Sequence, residues 1–297
     1  MKENVLITGA SGFVGQNFQQ YLSSFYLLKT LSIRYCPDQK IDLIEDVIIH
    51  LSGKAHDLKK VSNSSEYYDA NFELTKQLFN SFLDSNSSVF IFISSVKAVA
   101  DSVDYILDET FIPNPKTSYG KSKLAAENYI LNHKLPKGKR VYILRPCMIH
   151  GPGNKGNLNT LFNFVKKGIP YPFGSFENKR SFVSIDNLCF IVNELIKNKN
   201  IESGIYNVAD DETISTNDLV SLIGNVTNKN IFILKLPKLL VILIAKIGDL
   251  ISFPINSEKL KKLTQNYQVS NFKIKKAINK KLPLTLEKGL EITIKSF

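Results

Sequence analysis

The chain is poor in cysteine: Cys36, Cys147 and Cys189 are its three thiols in 297 residues. They lie far apart and make no CxxC pair, so neither a disulfide framework nor a thiolate zinc site is indicated, and a reducing cytoplasm is the expected compartment. The four histidines, His50, His56, His133 and His150, show no metal-ligand spacing and read as structural or rim residues; no metal is expected. No stretch supplies the roughly 20 uninterrupted apolar residues of a membrane-spanning helix. The N-terminus, MKENVLITGASGFVG, is not a signal peptide, because its apolar run is short and glycines break it. The most lipid-like stretch, Leu236–Phe253, is interrupted by Lys238, Lys246, Gly248 and Asp249. It is expected to be a helix buried against the protein, with a membrane-surface role as the lesser alternative. Internal repeats and low-complexity tracts are lacking as well.

With 43% hydrophobic and 22% charged residues, the composition is that of an ordinary globular protein. The length suits one large domain or two intimately joined ones. A formal net charge of +11 admits nucleic acid, an anionic membrane surface or anionic small substrates as partners. The lysines are scattered, and aromatics do not interleave with a basic run, so a nucleic-acid partner is not expected.

Apolar runs alternate with amphipathic segments through the first two-thirds. Val5–Thr8, Leu27–Ile33, Asp46–Leu51, Val89–Ile93 and Arg140–Leu144 read as buried strands, and Phe13–Tyr21, Tyr68–Leu83 and Tyr119–His133 as helices. That alternation predicts an α/β fold with a parallel sheet and helices on both faces. The segment between Ile33 and Asp46 has little room for a crossover helix, so that connection is expected to be abbreviated. After Arg145 the chain turns rich in Gly, Pro and Asn (RPCMIHGPGNKGNLN) and reads as a loop. The division expected is a dinucleotide-binding domain over residues 1–150 with return elements at about 181–210. A smaller substrate-binding region would comprise 151–180 and 211–297.

VLITGASGFVG (Val5–Gly15) runs strand, glycine-rich turn, helix. Small residues permit the tight turn, and the first helical N–H groups and the helix dipole then face an anion such as a pyrophosphate. The expected contacts are Gly9, Ser11, Gly12, Phe13, Val14 and Gly15. At the end of the second strand, LSIRYC places Arg34 where an acid would otherwise hold the adenosine ribose. This favours NADP(H), with NAD(H) as the alternative. FISSVKAVADSVDY (Phe92–Tyr105) begins as a buried strand and ends in paired hydroxyls, Ser94 and Ser95. SYGKSK then puts Tyr119 and Lys123 one turn apart on a helix face. A nearby ammonium is expected to lower the Tyr119 pKa and make it a general acid–base for a carbonyl or alcohol, and Lys123 can also reach the nicotinamide ribose.

Together TGASGFVG, DVIIHLSGKAH, FISSVKAV, YGKSK, LRPCMIHGPG and RSFVSIDN resemble the extended short-chain dehydrogenase/reductases, in the NAD-dependent epimerase/dehydratase group acting on nucleotide sugars. The resemblance implies a Rossmann-type doubly wound parallel sheet with a smaller, mostly C-terminal α/β substrate-binding region, and a homodimer formed through the helices around Tyr68–Leu83 and Tyr119–His133. It implies Ser95 as the catalytic hydroxyl with Ser94 in support, beside Tyr119 and Lys123. It places Leu51, Ser52 and Gly53 along the cofactor and Pro146 at the head of the loop covering the nicotinamide. Arg180 resembles the arginine that grips the sugar-nucleotide diphosphate, a role a guanidinium can fill bidentately. Asn157 and Lys97 complete the implied substrate contacts. Val99-Ala100 and His150 depart from the group's usual residues, so the sugar pocket is expected to differ. Val96 and Lys97 stand where a 4,6-dehydratase would have an acidic pair.

The function expected is NADP(H)-dependent reduction at C4 of a UDP-4-keto-6-deoxy-hexosamine for surface polysaccharide synthesis. A UDP-hexose 4-epimerase with retained NAD is the alternative, and a non-catalytic dinucleotide-binding sensor or scaffold is the rival of another class.

Overall fold

The computed structural model describes residues 2–54, 63–154, 156–250 and 256–297. Its strands are β1 (Asn4–Thr8), β2 (Leu27–Leu31), β3 (Val47–His50), β4 (Val89–Ile93), β5 (Arg140–Pro146), β6 (Met148–His150), β7 (Arg180–Ser184), β8 (Gly204–Val208) and β9 (Thr213–Ile214). A six-stranded sheet has the order β2-β1-β3-β4-β5-β8, with every pair parallel. The chain leaves β1 for one side of the sheet and returns to β3 on the other, which opens a crevice at the carboxyl ends of these strands.

Alternation along each strand explains the two layers of helices. Val5 and Ile7 of β1, Val47 and Ile49 of β3, and Val89 and Ile91 of β4 join one core with Phe18, Leu22, Leu188 and Val192. Leu6, Ile48, Phe90 and Phe92 point the other way, onto Leu74, Leu78, Phe79, Phe82 and Ile130. A strand buried on both faces cannot alternate apolar with polar, so β3 and β4 read as continuous apolar runs. Each fully buried side chain of this size contributes about 1.5–3 kcal/mol. Between β2 and β3, residues 32–46 contain no helix, as the short spacing predicts.

β7 does not enter this sheet. It pairs with β6 in parallel and β9 antiparallel in a separate three-stranded sheet. A third core lies there, built from Leu158, Phe162, Val165, Val220, Ile223 and Leu290.

One expectation is reversed. The helix over Lys238–Leu250 is not buried: only Val241, Ala245 and Gly248 are, in a narrow seam. Its remaining apolar residues face outward, because the helix meets the body along a single row of residues. Residues 251–253 of that apolar stretch lie outside the described residues.

Candidate functional site

Thr8 ends β1, and Gly9 follows at φ 68°, a left-handed conformation that a side chain disfavours. A Cβ on Gly9 would lie 2.8 Å from the Ser52 nitrogen, and one on Gly15 would lie 2.5 Å from the Gly9 carbonyl. Gly12 caps the helix Phe13–Leu22 without a side-chain hydrogen bond. Its first N–H groups therefore have no side-chain acceptor. Ser11 and Gly12 are exposed, and Phe13 and Val14 half-buried. Leu51, Ser52 and Gly53 continue β3 directly beside this turn. The cradle is thus one that added Cβ atoms would fill and that leaves helix N–H groups for a pyrophosphate. It fits a nicotinamide dinucleotide.

Behind the turn a buried relay ties three elements together. Thr75 gives its hydroxyl proton to the Asn71 carbonyl at 2.7 Å, so it accepts from His50 Nε2 at 2.9 Å. His50 Nδ1 then accepts from the Thr8 hydroxyl at 2.7 Å, which itself accepts the Ser52 N–H at 3.2 Å. Burial, helped by the charge of Lys123, pushes the His50 pKa down to about 3 and keeps the ring neutral.

Ser95 follows β4 and caps a single 3₁₀ turn, its hydroxyl accepting from the Lys97 N–H at 3.2 Å. The helix Ser118–Leu131 approaches this turn closely: a Cβ on Gly120 would sit 2.4 Å from the Lys97 carbonyl. Thr117 caps the same helix by accepting from the Gly120 N–H. That contact brings Tyr119 into hydrogen-bonding reach of Ser95. Burial raises the Tyr119 pKa, and the Ser95 hydrogen bond offsets only part of the rise. The expected depression by Lys123 is therefore corrected. The Lys123 ammonium is spent on the Ile93 carbonyl at 3.0 Å, and burial lowers its own pKa to about 8.

One turn further along, Glu127 is fully buried and clamps Arg145: Nε lies 3.0 and 3.1 Å from its two oxygens, and Nη2 lies 2.5 Å from Oε2. Ser94 donates to the same carboxylate. Asn71 sits on a π turn (Asp69–Glu73) within a helix running from Ser64 to Asp84. It accepts from the Lys54 N–H at 2.8 Å and donates to Ser122 at 2.9 Å, so it fastens the segment after β3 to the Tyr119 helix. Neither residue was singled out from the sequence. A lone Glu on a helix and an Asn between Ala70 and Phe72 carry no periodic or motif signal that separates them from surface residues.

A second group lies beyond Ser95. Lys97 and Arg180 are both half-buried, and the charge of Arg180 disfavours that of Lys97. Burial pushes Lys97 down to about 8 and lowers Arg180. Lys97 lies over the Tyr267 ring, 4.3 Å from its centroid, and donates to the Asp101 carbonyl at 2.8 Å. Arg180 donates to the Lys262 carbonyl. The Tyr267 hydroxyl bonds the Ala100 carbonyl at 2.7 Å. Two partly desolvated cations, of which Lys97 lies two residues past Ser95, suit an anionic group such as a diphosphate.

The remaining candidates are placed as follows. Arg34 is exposed, three residues past the end of β2. Pro146 is buried at the end of β5. Asn157 is exposed at the first turn of the helix Asn157–Lys166, and among the described residues nothing joins it to Lys97 or Arg180. His150 is fully buried against Thr293 at 2.8 Å, and His56 lies outside the described residues.

The sheet order, glycine turn and Ser–Tyr–Lys cluster define a dinucleotide-dependent short-chain dehydrogenase, and the comparisons agree. The NAD dependent epimerase/dehydratase family matches residues 5–209, and the chain belongs to that family. It is an NAD(P)-dependent enzyme of the nucleotide-sugar epimerase/reductase group. Among its relatives is a UDP-glucose 4-epimerase of Vibrio cholerae, 29% identical over 100% of this chain and 96% of that protein. Another is an N-acetyl-alpha-D-glucosaminyl-diphospho-ditrans,octacis-undecaprenol 4-epimerase of Escherichia coli O157:H7, 28% identical over 99% of this chain and 95% of that protein. The structure of RMD from Pseudomonas aeruginosa complexed with NADPH superposes with a TM-score of 0.74 at 20% identity, covering 99% of both chains.

Proposed function

We propose that the chain reduces the C4 ketone of a UDP-4-keto-6-deoxy-hexosamine with NADP(H), a step of surface polysaccharide synthesis. The observation that carries this reading is the placement of Tyr119 beside Ser95 just past β4, where burial raises the pKa of the phenol. A bound nicotinamide dinucleotide, held by the Gly9–Gly15 turn and the Leu51–Gly53 segment, supplies the hydride. Ser95 hydrogen-bonds the C4 oxygen and fixes its direction, and Tyr119 delivers the proton to that oxygen. Lys123 holds the end of β4 through the Ile93 carbonyl and, from the same buried position, can turn to the nicotinamide ribose. Lys97 and Arg180 hold the diphosphate.

A second reading has its own support. The Vibrio cholerae and Escherichia coli relatives, both 4-epimerases, match this chain from end to end. An epimerase would use the same pair in both directions, Tyr119 first taking and then returning the proton. Incubation with UDP-4-keto-sugars and with UDP-hexoses, followed by mass spectrometry and nicotinamide absorbance, separates the readings. Stoichiometric NADPH loss supports reduction, and a product without net cofactor change supports epimerisation. No product from any diphosphate-linked sugar would leave the sensor or scaffold reading.

Arg34 carries the cofactor preference. Arg34→Ala should weaken NADPH binding by roughly tenfold to a hundredfold, the range of one lost charge-assisted interaction, and leave NADH nearly unaffected. Equal losses for both dinucleotides would overturn the preference.

Lys97 predicts a pH dependence. Its pKa of about 8 means that it is charged below that value and neutral above it. KM for the diphosphate sugar should therefore rise as pH passes through about 8. In Lys97→Arg, whose side chain stays charged, the rise should vanish; an unchanged profile in that variant would remove Lys97 from the diphosphate site.

A further inference from the structure

The helix Lys238–Leu250 is built inside out. Its buried residues, Val241, Ala245 and Gly248, follow i, i+4, i+7 spacing and make a single seam. The opposite face carries Leu239, Leu240, Leu243, Ile244, Ile247 and Leu250, all exposed, with Leu239 at 83% and Leu250 at 85%. An ordinary surface helix turns its apolar stripe to the core and its polar face to water. The segment before this helix exposes another large apolar residue, Phe232, at 71%. A contiguous apolar surface of this kind marks an interaction site rather than scattered exposure.

Charge points to the occupant. Lys235, Lys238 and Lys246 are exposed within or beside the patch. Asp249, the acid of that helix, is engaged by the Ser257 N–H at 2.9 Å and the Ser257 hydroxyl at 2.6 Å. The following helix, Ser257–Thr264, packs against the first and adds exposed Lys261, while Lys262 is paired with Glu258 at 2.8 Å. Leucine and isoleucine framed by lysine suit the acyl boundary and phosphates of an anionic bilayer. Two copies of this chain meeting face to face would instead bring their lysines together.

We propose that Lys238–Leu250 docks the protein on an anionic lipid bilayer, with the helix lying in the membrane plane. No helix among the described residues is long and apolar enough to cross a membrane, so the contact is a surface one. The Lys262 carbonyl that receives Arg180 belongs to the neighbouring helix, which links the docking face to the candidate diphosphate site. The docking itself stands independently of the reading of the catalytic residues.

The test is flotation of the full chain with vesicles of phosphatidylcholine mixed equally with phosphatidylglycerol. The unmodified protein should float with these vesicles. Leu239→Glu/Leu243→Glu should cut the floated fraction roughly tenfold or more, since two carboxylates would have to enter the acyl boundary. Lys238→Gln/Lys246→Gln should lower it by roughly tenfold at low salt. Both variants should keep the parent's melting temperature, because none of the changed side chains is buried. Tyr119→Phe should float like the parent while losing turnover, so failure at the docking face and failure at the catalytic site are told apart. The proposal is overturned if the parent protein stays unbound, or if Leu239→Glu/Leu243→Glu floats equally well. An unbound parent that sediments as a dimer, made monomeric by the same two glutamates, would assign the face to a second copy instead.

Discussion

Tyr119→Phe should lower turnover by a factor of roughly 10²–10⁴, the usual contribution of a positioned acid–base group, and leave NADPH affinity nearly unchanged. The ring of the variant still fills the half-buried space beside Ser95 and Tyr67, so the loss reports the hydroxyl and not a collapsed pocket. Steady-state kinetics with fluorescence titration of NADPH check it. Turnover close to the parent's would take the proton-transfer role from Tyr119, and a parallel loss of NADPH binding would show that the hydroxyl holds the cofactor site together. The same hydroxyl also sets a pH signature. Because burial holds the phenol above its ordinary pKa, reduction should not fall through loss of its proton anywhere near neutral pH.

The second large effect concerns stability. Arg145→Met should destabilise the protein by about 3–5 kcal/mol, because it leaves Glu127 buried without its cation. Glu127 is 0% exposed and Arg145 2%, so water cannot easily replace the lost partner. The midpoint of urea unfolding should drop accordingly. The double variant Glu127→Gln/Arg145→Met should recover most of the loss, since an unpaired charge costs more than an absent pair. A single variant as stable as the parent would mean that the pair does not hold the structure. Ser94, which donates to Glu127, links this ion pair to the catalytic strand, so the single variant should also lower turnover even where it is still folded.

Much of this architecture can be read from the residues because the physics is local. β1, β3 and β4 are continuous apolar runs that only a sheet covered on both faces accommodates. Gly9, Gly12 and Gly15 mark a turn that leaves no room for a side chain at Gly9 or Gly15. Tyr119 and Lys123 share a helix face by spacing alone. What stays hidden depends on partners distant in sequence. Tyr267 meets Lys97 across 170 positions, and no periodicity announces it. Asn71 depends on a π turn that shifts the register of its helix by one residue, and Glu127 looks like any helical glutamate until Arg145 is seen behind it. The helix at Lys238–Leu250 misleads for a related reason. Hydrophobicity says that a segment avoids water, but it cannot say whether protein or lipid takes its place.

The Tyr267 hydroxyl also decides whether this chain can be divided. Tyr267, Val269, Ile274 and Ile278 complete the core of the six-stranded sheet, but every strand of that sheet is in place by Val208, so a shortened protein ending before Gln265 would retain its strands. It would nevertheless lose the tether to the Ala100 and Val96 carbonyls, which pins the turn that follows Ser95. The turn after Ser95 is thus tied to a residue near the far end of the chain. An isolated N-terminal half would have its strands, an incomplete core and an untethered serine.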